Sequence, residues 1–131
     1  KMGVATMRFM CALLYWCEGG KNQSRVQFVN SDPVLIRTFL TLFRLGFSID
    51  EQKFKVCIHL HDYHDEHKQI NYWSKIMGIP RRQFMRPYKK PNTGKRIKKD
   101  YPGCAAINYS DHTIFKELRA LWEKVGSIYG A

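Results

Sequence analysis

The sequence predicts an α+β fold in a single domain spanning residues 1–131, and three observations carry that prediction. Lys53–His61 alternates strictly, with Phe54, Val56, Ile58 and Leu60 on one side and Lys53, Lys55, Cys57, His59 and His61 on the other, the period of a half-buried strand. Asn30-Ser31-Asp32-Pro33 opens a helix, because a capping side chain precedes a proline at the first helical position. Ile114, Leu118, Leu121, Trp122 and Val125 recur at helical spacing. Strand and helix signals interleave along the chain. The expected arrangement is therefore a set of helices on one face of an antiparallel sheet, whose other face is open and basic.

The first element is a helix over residues 4–18, which contain no glycine or proline and no strand-like alternation. Phe9–Cys17 is apolar all round, so one side should meet the domain's own core and another a second copy of the chain. Gly19-Gly20 ends this helix. Ser24–Asn30 follows as a strand with Val26 and Phe28 on one side and Arg25 and Gln27 on the other. The helix opened at Pro33 runs to about Leu45 and stops at Gly46, with Leu35, Ile36, Phe39, Leu40 and Phe43 as its core face. After the strand at 53–61, Asp65–Met77 reads as a helix closed by Gly78 and Pro80. Gln83–Tyr88 and Cys104–Tyr109 read as strands joined by a long basic loop, and Ile114–Val125 as the last helix. Tyr72, Trp73 and Trp122 fall at core spacing, whereas Tyr88 is a candidate stacking residue.

Hydrophobic residues make up 44% and charged residues 25%, a globular composition, and the net charge is +11. That charge is local. Residues 81–99 contain Arg81, Arg82, Arg86, Lys89, Lys90, Lys95, Arg96, Lys98 and Lys99 with no acid, while the rest of the chain has 13 basic against 11 acidic residues. A concentrated positive patch favours a polyanionic partner, most simply nucleic acid. The four cysteines form no CxxC pair, which argues against a zinc ribbon or a disulfide scaffold. Three of them are expected to be small buried hydrophobes in a reducing compartment. Phe9–Cys17 is far shorter than the roughly 20 residues needed to cross a bilayer, and Glu18-Gly19-Gly20-Lys21 lacks a small-x-small cleavage site. An intracellular, cytoplasmic protein with no membrane partner is expected. The chain opens on Lys1 rather than Met, which reads as part of a longer protein.

Glu18 stands out chemically. It occupies the last turn of an apolar helix, where the dipole favours a cation rather than an acid. A carboxylate there can hold a hard cation such as Mg²⁺ through oxygen. Two copies meeting through this helix would bring two such acids together, as metal-assisted phosphodiester hydrolysis requires.

Cys11-Ala12-Leu13-Leu14-Tyr15-Trp16-Cys17-Glu18-Gly19 resembles a diverged copy of the LAGLIDADG motif of homing endonucleases, an apolar helix ending in acid-Gly. The segments that follow are similar to single-motif, prokaryotic LAGLIDADG-like domains: Asn30-Ser31-Asp32-Pro33, Tyr72-Trp73-Ser74, Gly78-Ile79-Pro80 and Gly103-Cys104-Ala105. The resemblance implies a sheet saddle over the DNA major groove. It also implies a homodimer joined through Ala12, Leu13, Trp16 and Cys17, and Glu18 as catalytic acid and Mg²⁺ ligand. Two positions depart from the motif, Leu13 where a small residue is usual and Trp16 where Asp is common. The family also places a basic residue near the reacting centre, for which Lys21, Lys89 and Lys90 are candidates.

Double-stranded DNA is thus the expected partner. Arg25, Gln27, Lys55, His59 and Arg86 are expected on outward strand positions, where Arg and Gln suit base edges. Lys89, Lys90, Lys95, Arg96, Lys98 and Lys99 are expected on phosphates. The expected function is a site-specific, Mg²⁺-dependent DNA endonuclease acting as a homodimer. Its rival is a non-catalytic, sequence-specific DNA-binding module on the same scaffold. An RNA-binding role would use the basic loop, but no RRM or KH signature is present. His59, His61, His64 and His67 form a further candidate group, for a structural zinc.

Overall fold

A computed structural model describes residues 2–22, 24–91 and 101–131. The chain folds as α1 (Val4–Glu18), β1 (Val26–Asn30), α2 (Pro33–Gly46), β2 (Phe54–His61), α3 (Glu66–Met77), β3 (Tyr88–Lys90), β4 (Cys104–Tyr109) and α4 (His112–Tyr129). Short 3₁₀ turns at Glu51–Lys53 and Arg81–Gln83 precede β2 and follow α3. The architecture is α+β, as the sequence predicts.

The helices start where short acids cap them. Asp32 accepts from the N–H groups of Val34 and Leu35, Asp65 from Lys68 and Asp111 from Ile114. α4 starts two residues before the expected Ile114, at His112, because Asp111 caps it. It also continues through Gly126, where a Cβ would stand in van der Waals contact with the ring of Trp16 in α1, at 3.4 Å.

The sheet order is β1-β4-β2-β3. β4 pairs antiparallel with both β1 and β2, but β2 and β3 run parallel, so the sheet is mixed and not antiparallel as expected. α3 is the reason: it is a crossover that returns the chain to the same edge in the same direction, which a hairpin cannot do. The returning chain meets β2 first at a parallel bridge between Phe84 and Val56, where Met85 N–H donates to the Val56 carbonyl at 2.7 Å. Gln83–Tyr88 is therefore no continuous strand. Arg81–Gln83 is a 3₁₀ turn, and the ladder forms only at Tyr88–Lys90.

One face of the sheet is apolar. Val26, Tyr109 and Phe54 align across three strands, as do Phe28, Ile107 and Val56. Against this face α1, α2 and α4 pack through Tyr15, Phe39, Phe43, Phe115 and Trp122, with the Phe28 and Phe39 rings stacked at 4.1 Å. Close ring packing of this kind holds the helices in register with the sheet. On the other face Lys55 and His59 are exposed.

Candidate nucleic-acid interface

The strand register that buries the apolar rows sets out the opposite rows as well. Gln27, Asn108 and Lys55 stand directly opposite one another on β1, β4 and β2. The next row outward holds Val29, Ala106 and Cys57, and the one after it Cys104, His59 and Tyr88. Arg25 leads into β1 beyond Gln27, and Ser110 follows β4. Arg25, Gln27, Lys55, Cys57, His59, Met85, Ala106, Asn108 and Ser110 line a shallow concavity of about 370 Å³, and none of these is acidic. The small Ala106 deepens its floor, and the Tyr88 ring closes on His59 at one end, 5.7 Å between centroids.

Two polar atoms of residues lining this concavity, Nε of Arg25 and Oδ1 of Asn108, are buried with no hydrogen-bond partner among the described residues. An unpaired buried donor or acceptor costs about 1–3 kcal/mol. The lining thus holds hydrogen-bonding capacity that the described residues do not use. Asn108 is a residue that sequence reasoning missed. Its signal was the alternation of Ala105, Ile107 and Tyr109 toward the core, which leaves Asn108 on the open face.

Gln27, Lys55 and His59 share this face on strands, as expected, while Arg25 reaches it from the bend before β1, which starts at Val26 and not at Ser24. Arg86 lies in the segment between the 3₁₀ turn and β3, not on a strand, with its side chain exposed and its carbonyl accepting from the Cys57 thiol at 3.7 Å. Lys90 is opposite His61, whose strand position is on the open side. Lys89 alternates to the helix side, where its ammonium pairs with Glu66 of α3 at 3.3 Å. Lys95, Arg96, Lys98 and Lys99 lie outside the described residues.

Beside the concavity, the end of α1 abuts β1. Gly20 N–H donates to the Gln27 carbonyl at 2.8 Å, and Gly19 bridges Phe28. Gly19 is not left-handed, with φ −81°. Glycine is required there because a Cβ would lie 2.5 Å from the Tyr15 ring. Glu18 is therefore held next to the edge of the open face by a steric constraint one residue on. Its carboxylate is exposed and makes no hydrogen bond or ion pair among the described residues. The cation that the helix end favours is supplied by Lys21, whose ammonium donates to the carbonyls of Trp16 at 3.0 Å and Gly19 at 2.7 Å. Of the candidate basic residues, Lys21 is the one placed beside Glu18.

α1 presents two different faces. Cys11, Ala12 and Tyr15 are fully buried in the chain's own core, so Ala12 is not at a surface that a second copy can reach. Burial pushes the Cys11 thiol up to about 12, against the opposing pull of Arg8, and leaves it a core hydrophobe. Met10, Leu13 and Trp16 repeat every third residue and are 39%, 37% and 42% exposed, with Cys17 exposed beside them. Cys57 and Cys104 are half-buried on the open sheet side, not core residues, because strand alternation groups Cys57 with Lys55 and His59.

The four histidines do not converge. His59 faces Tyr88, and His67 lies 2.6 Å from Arg81. Both ring nitrogens of His64 are engaged: Nδ1 accepts from the His61 N–H at 2.9 Å, which leaves Nε2 to donate to the Tyr101 carbonyl at 2.8 Å. Among the described residues no group of three His, Cys, Asp or Glu side chains gathers to hold a metal ion. No helix among the described residues is long and apolar enough to cross a membrane. Comparison with protein-family models, with curated proteins and with solved structures finds no match.

Proposed function

We propose that this chain binds double-stranded DNA through the open face of its sheet and acts as a homodimeric, LAGLIDADG-like, Mg²⁺-dependent DNA endonuclease. The observation that carries the reading is the acid-free concavity on which Arg25, Gln27, Lys55, Asn108 and His59 stand together. A sheet surface of this kind suits the major groove, which admits a β-ribbon and offers each base pair's donors and acceptors. The positive charge of residues 81–99, Lys89 excepted because it pairs with Glu66, serves the phosphates, which position the duplex without specifying its sequence.

The exposed stripe Met10, Leu13, Trp16 and Cys17 supports pairing of two chains along α1, with Ala12 beneath it in the core. That pairing brings a Glu18 from each copy to the centre of the bound duplex. There the two carboxylates would hold Mg²⁺, which when bound polarises phosphate and lowers the pKa of water. Among the described residues Glu18 has no competing partner. Lys21, three residues on and beyond the helix, keeps its ammonium on the carbonyls of Trp16 and Gly19 and neutralises the helix end beside the acid.

A second reading, a non-catalytic DNA-binding module, is favoured by the bulk of Leu13 and Trp16, which separates two paired helices and hence the two acids. One experiment separates the readings. A randomised plasmid library is incubated with the protein and Mg²⁺, and new ends are sequenced, with Glu18→Gln in parallel. The endonuclease reading expects ends at one near-palindromic motif, lost in Glu18→Gln while binding persists. Bound DNA with no new ends would leave the binding module, and no binding would overturn both.

A further inference from the structure

We infer that Asn108 is the residue through which this face selects an adenine in each half-site. The inference rests on the proposed reading of DNA by the open sheet face. β4 is an inner strand of the sheet, and Asn108 is the middle member of a row with Gln27 on one side and Lys55 on the other. A base lowered onto the concavity meets this row at its centre.

The chemistry of the lining divides by base. Arg25 and Lys55 offer donors only, which suits the paired acceptors of guanine and the phosphates. Adenine presents one acceptor and one donor side by side, N7 and the N6 amine. The groups lining the concavity that present an acceptor and a donor side by side in one direction are the amides of Gln27 and Asn108, whereas the two ring nitrogens of His59 point apart. Gln27 is on the edge strand β1, and its Oε1 lies 3.3 Å from where a Cβ on Gly20 would stand, beside the chain leaving α1. Asn108 has the shorter side chain on an inner strand, and its buried Oδ1 has no hydrogen-bond partner among the described residues. It is the amide left for a base.

The test is selection of bound duplexes from a randomised pool by the full chain, with Asn108→Ala and the isosteric Asn108→Asp alongside. The wild-type motif should contain an adenine position in each half-site, preferred by roughly ten- to a hundredfold, the discrimination of one bidentate pair. Asn108→Ala should lose preference there alone, with the other positions and the salt dependence kept. Asn108→Asp, which accepts but does not donate, should move that position toward cytosine, whose N4 amine donates. Motifs unchanged in both variants, or affinity lost equally on all sequences, would overturn the role of Asn108 and leave DNA binding standing. No duplex retained by the wild type would overturn the DNA-binding proposal itself, and this inference with it.

Discussion

The hydroxyl of Tyr15 accepts the backbone N–H of Gln27 at 3.0 Å and donates to the Gly20 carbonyl at 2.6 Å, so one buried phenol ties the end of α1 to β1. Its ring also occupies the space that makes Gly19 obligatory. Glu18, at the helix end, and Gln27, on the open face, are thus positioned by the same side chain. Burial raises the pKa of this phenol, against the opposing Gln27 hydrogen bond and Arg25 charge, so it stays neutral and able to donate. Tyr15→Phe keeps the ring but leaves two backbone groups unpaired. The expected loss is about 1–3 kcal/mol of unfolding free energy, read from urea denaturation. An unchanged midpoint would show that the bridge contributes nothing net.

Much of this arrangement is legible in the sequence where local chemistry decides the structure. The Asp32-Pro33 start is set by a side-chain cap and a fixed φ, and β2 by an alternation that only one pairing register can bury. α1 matches its expected bounds because nothing between Val4 and Glu18 competes with helix. What escapes local reading depends on contacts distant in sequence. Nothing in Phe84–Tyr88 says that the chain will lie parallel to β2, since that follows from where α3 delivers it. The apolar all-round character of α1 likewise leaves open which side is inward, and the core on α2 and α4 takes Ala12, not Leu13. Asn108 is hidden for a third reason: in Cys104-Ala105-Ala106-Ile107 small residues occupy both faces, which blurs the alternation.

Two left-handed glycines predict different costs. Gly78 ends α3 at φ +63°, and a Cβ there would meet nothing closer than Arg44 Nη1 at 3.8 Å. Gly103 enters β4 at φ +85°, and a Cβ would lie 2.8 Å from both the His59 carbonyl oxygen and Leu60 Cδ2. Gly78→Ala should therefore cost about 1 kcal/mol, the backbone contribution alone. Gly103→Ala adds a clash with backbone and should cost about 3 kcal/mol. Equal midpoints in thermal unfolding of the two variants would contradict the steric argument.

The pair Lys53–Asp111, 3.0 Å apart, sets an acid-side dependence of stability. Burial of the Asp111 carboxyl works to raise its pKa. The Ile114 and Thr113 N–H groups and the Lys53 ammonium outweigh it, and the net shift is downward. A folded-state pKa below the unfolded one stabilises the protein above the ordinary aspartate value of about 3.9. That contribution is lost as pH falls through the lower, folded value. Lys53 is shifted up by its hydrogen bond to Asp111, so its share is present at neutral pH and is lost as pH rises through that raised value. Asp111→Asn should flatten the fall in melting temperature below about pH 4 relative to wild type. Parallel curves would exclude the carboxylate as its source.

Strand alternation separates two lysines that composition treats alike. Lys55 stands on the open face in the row with Asn108 and Gln27, while Lys89, paired with Glu66, looks toward α3. If DNA lies on the open face, Lys55→Ala should weaken binding on every sequence. It should also reduce the slope of log affinity against log salt by about 0.9, the effect of one phosphate contact, if Lys55 meets the backbone. Lys55 set on a base edge would instead relax one position of the motif. Lys89→Ala should leave both affinity and slope near wild type, since its exposed ion pair contributes about 0–1 kcal/mol to stability and nothing to the open face. Titration of both variants at several salt concentrations compares them directly. A larger loss for Lys89→Ala than for Lys55→Ala would put the duplex on the other side of the sheet edge, away from the concavity, and the reading of that face would fall with it.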